Sequence, residues 1–343
     1  MIKTRSALAA LTIVALAMGM SGCIPAINPN AGYKQFSNGL INYSGTNLSL
    51  YNYPRGMAVD SNGDIFVVDG GNNRIIEIPA SSPGTPAPVT TTAWNTFPNG
   101  NTPSKYSFNA PEGIAVDSLG NIWVADSGNG RIVQLTTDWQ SSNPTVTIYN
   151  SAGTYSFSYP TGLAYNSNNN YIYITDPGKN FPNSIPSVFA ILVGSPGTFT
   201  FEHVVTGFGS GIRQFSFPRG IAADSSGVYI ADETNYRIVK MDLLLSTSNW
   251  TTLGTRGSGT GQFISPQTIA LDSVGAGHIY VVDAANYWVV KMNDISGAGW
   301  TPYGIQSGTS TTSVYPSWVA VFSSSPPSIY VSDDTNYQIA EFQ

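Results

Sequence analysis

Tyr53-Pro54-Arg55-Gly56-Met57-Ala58-Val59-Asp60, then Asp64-Ile65-Phe66-Val67-Val68-Asp69, then Arg74-Ile75-Ile76-Glu77-Ile78 form the stretch whose reading decides the fold. Each piece is a short apolar or alternating run of β type, and Gly, Asn, Asp and Ser separate the pieces as turns do. The series returns through Pro111, Gly113-Ile114-Ala115-Val116-Asp117, Asn121-Ile122-Trp123-Val124-Ala125-Asp126 and Arg131-Ile132-Val133. Further copies begin at Pro160, Pro218, Pro266 and Pro316, so the starting prolines stand 57, 49, 58, 48 and 50 residues apart. A fourth run precedes the next proline, as in Thr145-Val146-Thr147-Ile148-Tyr149. Four strands recurring about every 50 residues describe one blade of a β-propeller, so six copies predict an all-β, six-bladed propeller.

The chain ends bear on closure. The sixth copy stops at Gln343 after its third strand, and Leu40-Ile41-Asn42-Tyr43 stands ahead of Pro54 where an outer strand belongs. That N-terminal strand is expected to complete the last blade, which leaves no sheet short and ties down both ends.

Composition agrees with a turn-rich β protein. The 343 residues include 35 Gly and 22 Pro, are 41% hydrophobic and only 10% charged, and carry a net charge of −6. The hydrophobic share is too high for disorder, and Gly and Pro interrupt every long helical window. An acidic balance without a basic run excludes the electrostatic footprint of nucleic-acid binding. The sign itself is largely architectural. Ten acids are repeat positions: Asp69, Asp126, Asp176, Asp232, Asp283 and Asp333 end the second strands, and Asp60, Asp117, Asp224 and Asp272 end first strands.

The N-terminus reads as an address. Lys3 and Arg5 precede an apolar stretch from Ala7 to Gly19, shorter than the ~20 residues of a membrane-spanning helix and suited to a secretory signal. Met20-Ser21-Gly22-Cys23 resembles the bacterial lipobox, with Met where Leu is usual. Cys23 is the only cysteine and has no disulfide partner. The resemblance implies cleavage after residue 22, lipidation of Cys23 and a tether over 23–32, with the propeller over 33–343. The membrane is then the first expected partner, held by several acyl chains at about 0.8 kcal/mol per buried CH₂. The expected location is the cell envelope, at the outer membrane if the host is Gram-negative, because Ile24 replaces the Asp of an inner-membrane retention signal.

The repeated pattern P-x-G-[IM]-A-[VL]-D, turn, [IV]-[YWF]-V-[AV]-D, N-x-R-I resembles the NHL repeat, and six copies resemble the six-bladed NHL propellers. Copies two and four match best. Copy three departs most, with Pro177 and Phe181 after Asp176 and no Arg, and copies five and six carry Trp288 and Gln338 in the Arg position. Asp at the end of strand two is expected to accept backbone N–H groups of the following turn and to pair with Arg74, Arg131 or Arg237 five residues on. The alanines of strand one, Ala58, Ala115, Ala164, Ala222, Ala270 and Ala320, are expected where inner strands crowd. Asp60-Ser61-Asn62-Gly63-Asp64 has the start of a calcium loop but no bidentate Glu twelve positions along, so a tight turn is expected.

Function is sought where the repeat varies on the channel-mouth face. The residue after each starting proline gives one set: Arg55, Glu112, Thr161, Arg219, Gln267 and Ser317. These could ring the mouth and bind a small polar or anionic ligand, or form a solvated rim. The turn between strands two and three gives another. Tyr236, Tyr287 and Tyr337, with Trp288 beside one, form an aromatic crescent for a sugar, peptide or protein surface, or pack against the neighbouring blade.

Some propellers of the resembled superfamily are enzymes. Peptide-amidating lyases hold zinc with several His, streptogramin lyases use a His base near magnesium, and lactonase-type relatives use carboxylate and amide ligands. Only His203 and His278 are present, so a three-His zinc site is excluded, and the two fall in different blades away from the mouth. No Ser-His-Asp set, P-loop or dinucleotide fingerprint stands out. The sequence therefore predicts a non-catalytic binding or scaffold module for a protein, peptide or glycan, with no cofactor and no metal. The alternative is a metal-dependent lactonase or lyase at the mouth, with Glu112 as its single-copy acid.

Overall fold

Four antiparallel strands follow one another outward from each starting proline. In the computed structural model blade one consists of Pro54–Val59, Ile65–Asp69, Arg74–Ile78 and Asn95–Phe97, hydrogen-bonded in that order. Blade two starts with Ile114–Val116, blade three with Gly162–Asn166, blade four with Pro218–Asp224 and blade five with Pro266–Asp272. The structure describes residues 41–42, 51–80, 95–97, 107–141, 144–179, 185–194, 199–246, 248–272, 277–304, 315–334 and 337–342. The signal segment, Cys23 and the tether lie outside the described residues. Among those described, no helix is long and apolar enough to cross a membrane.

Blade six is made from both ends of the chain. Pro316–Phe322, Ser328–Asp333 and Gln338–Phe342 pair in order, and Ile41–Asn42 adds the fourth strand antiparallel to the last, with Ile41 opposite Glu341 and Asn42 opposite Ala340. The six first strands touch in a closed ring, each against the next and the sixth against the first. Among the described residues a short hairpin of Ser151–Ala152 with Tyr155–Ser156 lies outside the repeat.

The core is six apolar layers, one between each pair of blades. In the layer between blades one and two, Phe66, Val68 and Ile75 meet Ile114, Val124 and Val133. Strand alternation sends the repeated alanine of one blade toward the large apolar residue of the next. Ala115 thus shares a layer with Leu163, Ala164 with Ile221, Ala222 with Ile269, and Ala320 with Met57. Blades converge at the axis, so the innermost position of each layer takes a methyl group where outer positions take Trp123 or Tyr173. The six alanines line a central channel of about 210 Å³.

The glycine of P-x-G has a related cause. A Cβ on Gly56 would stand 2.3 Å from the Glu112 carbonyl oxygen, on Gly113 2.2 Å from that of Thr161, and on Gly162 2.3 Å from that of Arg219. Neighbouring backbones meet at the axis here, and the Gly56 N–H donates to the Glu112 carbonyl at 2.7 Å. The Asp60 turn is also structural: one Asp60 carboxylate oxygen accepts the N–H groups of Asn62 and Asp64 at 2.9 Å each.

Candidate functional site at the channel mouth

The loop leading into strand one and the turn after strand two are fastened together by the strand-two aspartate. Asp69, Asp126, Asp232, Asp283 and Asp333 are wholly buried and Asp176 nearly so. In blade one, Asp69 Oδ1 accepts the Asn52 N–H at 2.6 Å, while Oδ2 accepts Asn72 Nδ2 at 2.8 Å and Arg74 Nε at 2.7 Å. Blade two repeats this with Asn109, Asn129 and Arg131, and blade four with Ser216, Asn235 and Arg237. The Arg pairs are those expected from the spacing. The backbone donors of these three are not: they come from the loop before strand one, two residues ahead of the starting proline, while Asp176 also accepts from its following turn, the Gly178 N–H at 2.9 Å.

Fastening these loops leaves three variable positions per blade near the axis: the residue before the proline, the one after it, and the one after the aspartate. Glu112 is the hub. Its Oε1 accepts the Tyr159 hydroxyl at 2.9 Å and Arg55 Nη1 at 3.3 Å, and its Oε2 lies 3.7 Å from Arg219 Nε. Arg219 Nη1 lies 3.7 Å from Glu233 Oε2, and Glu233 Oε1 accepts Ser265 Oγ at 2.6 Å and Gln267 Nε2 at 3.4 Å. Asp334 accepts Ser317 Oγ at 2.7 Å.

The electrostatics follow from burial. Burial works to lower the Arg219 pKa, but Glu112, Glu233 and Asp334 outweigh it and hold the guanidinium charged. Burial, with Glu112 beside it, pushes the Tyr159 hydroxyl up to about 12. Burial also raises the Asp334 carboxyl, against the pull of Arg55, Ser317 and Arg219. A carboxyl raised on folding stabilises below its unfolded pKa, and that contribution is lost as pH rises through the folded value. Asp334→Asn, which can still accept from Ser317, is therefore expected to raise Tm by about 1–3 °C at pH 7 and to leave it unchanged near pH 3. Calorimetry at the two pH values checks this, and an equal shift at both would reject it.

The post-proline set divides. Arg55, Glu112, Arg219 and Gln267 join the network. Thr161 and Ser317, at 0% and 1% exposure, bond Thr175 and Ser332 within their own blades and donate to the Arg219 and Pro54 carbonyls of the next, and Ser317 alone of the two also reaches the network, through Asp334. Glu233 and Asp334 were not among the sequence candidates. Their position after the aspartate reads Gly70, Ser127, Pro177, Glu233, Ala284 and Asp334, and that variability was the available signal.

The aromatic crescent is spread along the rim. Tyr236, Tyr287 and Tyr337 each hold a left-handed backbone, with φ of 57°, 61° and 53°, the conformation that Asn73 and Gly130 adopt in blades one and two. Each side chain meets the loop that leads into the next blade. Tyr337 packs edge-on to Tyr53 at 5.2 Å, Tyr287 to Tyr315 at 5.6 Å, and Arg256 lies over Tyr236 at 5.6 Å. Tyr287 stays 45% exposed, whereas Trp288 is 4% exposed in the layer between blades four and five and offers no face to a ligand. Register explains this: Trp288 opens strand three opposite Asp283, in the place that Arg237 fills beside Asp232.

His203 lies in the outer strand of blade three. His278 opens strand two of blade five, at the end away from the mouth, with Nδ1 2.9 Å from Asp272. Among the described residues no three His, Cys, Asp or Glu side chains gather as a metal requires. The described acids nearest the mouth, Glu112, Glu233 and Asp334, face arginines and hydroxyls.

A family model for the NHL repeat matches residues 51–77 and 108–135. NHL repeat-containing protein 3 of Homo sapiens is 37% identical over 93 residues, 26% of this chain and 24% of that protein, and its Mus musculus counterpart is 32% identical over 92 residues. The match thus spans about a quarter of those relatives' length. Among solved structures, a streptogramin B lyase aligns over 89% of this chain and 97% of its own at TM-score 0.55 and 13% identity. A gluconolactonase from Xanthomonas campestris aligns over 85% and 86% at TM-score 0.57 and 12% identity. A nidogen/laminin complex chain aligns over 74% and 80% at TM-score 0.52 and 17% identity. At these identities the likeness shows the propeller fold alone.

Proposed function

Because the chain is an NHL-repeat propeller of six blades, we propose that it works as a non-catalytic binding or scaffold module, receiving a protein, peptide or glycan at the channel mouth. In this proposal it is exported and held at the cell envelope through a lipidated Cys23. One observation carries the reading. Arg219 is 9% exposed, its Nε has no hydrogen-bond partner, and its two carboxylate neighbours stand 3.7 Å away. A buried donor left unsatisfied is costly, so a ligand oxygen that draws this guanidinium outward gains there what solvent-exposed groups cannot offer. Arg55, Tyr159 and Gln267 surround it with further polar groups, and the Tyr rim adds apolar area.

The test retains envelope components of the host on the purified protein. Arg219→Gln is expected to cut specific retention at least tenfold, the effect of losing a central arginine anchor, while exposed Arg213→Gln leaves it unchanged. Equal retention by both variants would reject the mouth as the seat. The lactonase or lyase alternative makes a different demand: a stoichiometric divalent ion without which lactone or streptogramin turnover stops. Elemental analysis and turnover assays that found both would overturn the non-catalytic reading.

A further inference from the structure

Blade three breaks the repeat at one place and leaves a pocket there. Strand three of that blade, Ser187–Val193, puts Ser187 opposite Asp176. Arg74, Arg131 and Arg237 hold this register opposite Asp69, Asp126 and Asp232. In those blades the arginine Nε donates to the aspartate at 2.7, 2.6 and 2.9 Å. Blade five fills the same place with the buried Trp288. Ser187 is too small to do so. Beside it lies a cavity of about 450 Å³ lined by Asp176, Ser187, Phe189, Tyr155, Ile185 and others. Tyr155 and Ile185, at 40% and 68% exposure, stand at its rim, so it opens to solvent.

Asp176 at the floor is 4% exposed. Among the described residues its oxygens accept backbone N–H groups alone, from Ser158 at 2.7 Å and from Tyr159 and Gly178 at 2.9 Å each. Among the described residues no cationic side chain bonds it. Elsewhere the oxygen that holds the arginine also takes an Asn amide, whereas here Oδ2 takes one N–H and keeps room for another donor.

We infer that this pocket receives a guanidinium group, the arginine side chain of a partner protein, which completes on Asp176 the ion pair that the other blades make internally. Blade four supplies the template. There the Arg237 guanidinium lies over the Trp250 ring at 5.9 Å while its Nη atoms donate to the Ser210 and Gln214 carbonyls. Blade three provides the matching parts: the Tyr155 and Phe189 rings in the wall for stacking, and the Asp176 carboxylate as acceptor. Burial holds the Asp176 carboxyl above the usual range despite its three N–H donors, a cost that an incoming cation relieves. The pocket residues lie outside the Arg219 network and are joined to it through Tyr159, whose N–H Asp176 holds and whose hydroxyl meets Glu112.

The test titrates the full-length protein in detergent with N-acetyl-arginine methylamide, which mimics an arginine within a chain, and in parallel with agmatine and with the neutral citrulline analogue. The methylamide is expected to bind with a Kd of about 1–10 mM, no more weakly than agmatine, and the citrulline analogue at least tenfold more weakly. Ser187→Arg, which supplies the missing side chain from within, is expected to abolish binding and to raise Tm by about 2–5 °C. Because Asp176→Asn could disturb the loop it fastens, Ser187→Arg is the deciding variant. Equal binding of the citrulline analogue, binding of agmatine without the methylamide, or undiminished binding by Ser187→Arg would each overturn the inference.

Discussion

Asp126→Ala is expected to lower the unfolding free energy by about 3–5 kcal/mol, the range found when one partner of a buried ion pair is removed. The carboxylate is wholly buried and takes three donors: the Asn109 N–H at 2.7 Å, Asn129 Nδ2 at 2.9 Å and Arg131 Nε at 2.6 Å. Truncation leaves the Asn109 N–H without its acceptor and Asn129 Nδ2 with only a long bond to the Ser107 carbonyl at 3.3 Å. Arg131 keeps one bond, from Nη2 to the Ser107 carbonyl at 2.9 Å, but its side chain is only 14% exposed and, among the described residues, pairs with no other anion. Asp126→Asn is expected to cost less, because an amide oxygen can still accept from Asn109 while its NH₂ group opposes the guanidinium. Asn62→Ala, at an exposed turn, should stay within about 0.5 kcal/mol of the parent. Urea unfolding of the three variants measures the series, and an Asp126→Ala loss under about 1 kcal/mol would mean that the loop before strand one is held by something else.

The reason this aspartate was legible in the sequence is that one chain carries six copies. A residue standing at Asp69, Asp126, Asp176, Asp232, Asp283 and Asp333 answers to a need that every blade has, and the closing strand followed from the same count. What repetition cannot reveal is which variable positions come together. Glu112 and Arg219 were visible because they follow prolines. Glu233 and Asp334 follow aspartates, and only the fastening of two loops by one carboxylate brings those positions to the same mouth. Trp288 misled for the opposite reason. Sequence proximity to Tyr287 suggested a shared surface, yet the chain turns from a left-handed cap into strand three between them, and alternate residues of a strand face opposite ways. The blade-three pocket was half legible: the missing arginine could be seen, but not that Ser187 holds its register eleven positions after Asp176.

Gly113→Ala tests the axis itself. The added methyl would stand 2.2 Å from the Thr161 carbonyl oxygen and 3.1 Å from the Leu163 nitrogen. Both are backbone atoms of the neighbouring inner strand, which cannot swing aside as a flexible side chain would. Relief requires two blades to separate in a ring that closes on itself, and overpacking of this kind costs about 1–3 kcal/mol or more. We expect a loss of about 3 kcal/mol in urea unfolding. The matching position in blade five is Thr268 and in blade six Trp318, so the ring tolerates side chains there, and strand register gives part of the reason. In blades one and four, pairing skips from Pro54 to Met57 and from Pro218 to Ile221, leaving the glycine in the bulge that meets the next blade. In blades five and six the skip is shorter, Pro266 to Thr268 and Pro316 to Trp318, so that residue joins the ladder opposite Val282 or Ser332. Gly162 of blade three also joins the ladder, opposite Thr175, yet meets the Arg219 carbonyl oxygen, so register is one part of the reason and the approach of the next blade the other. Thr268→Ala should cost about 1 kcal/mol, since it removes one buried methyl group and a long bond from Oγ1 to the Ser317 carbonyl at 3.4 Å. If Gly113→Ala proved as mild as Thr268→Ala, the close approach of backbones would not be what requires glycine after the proline.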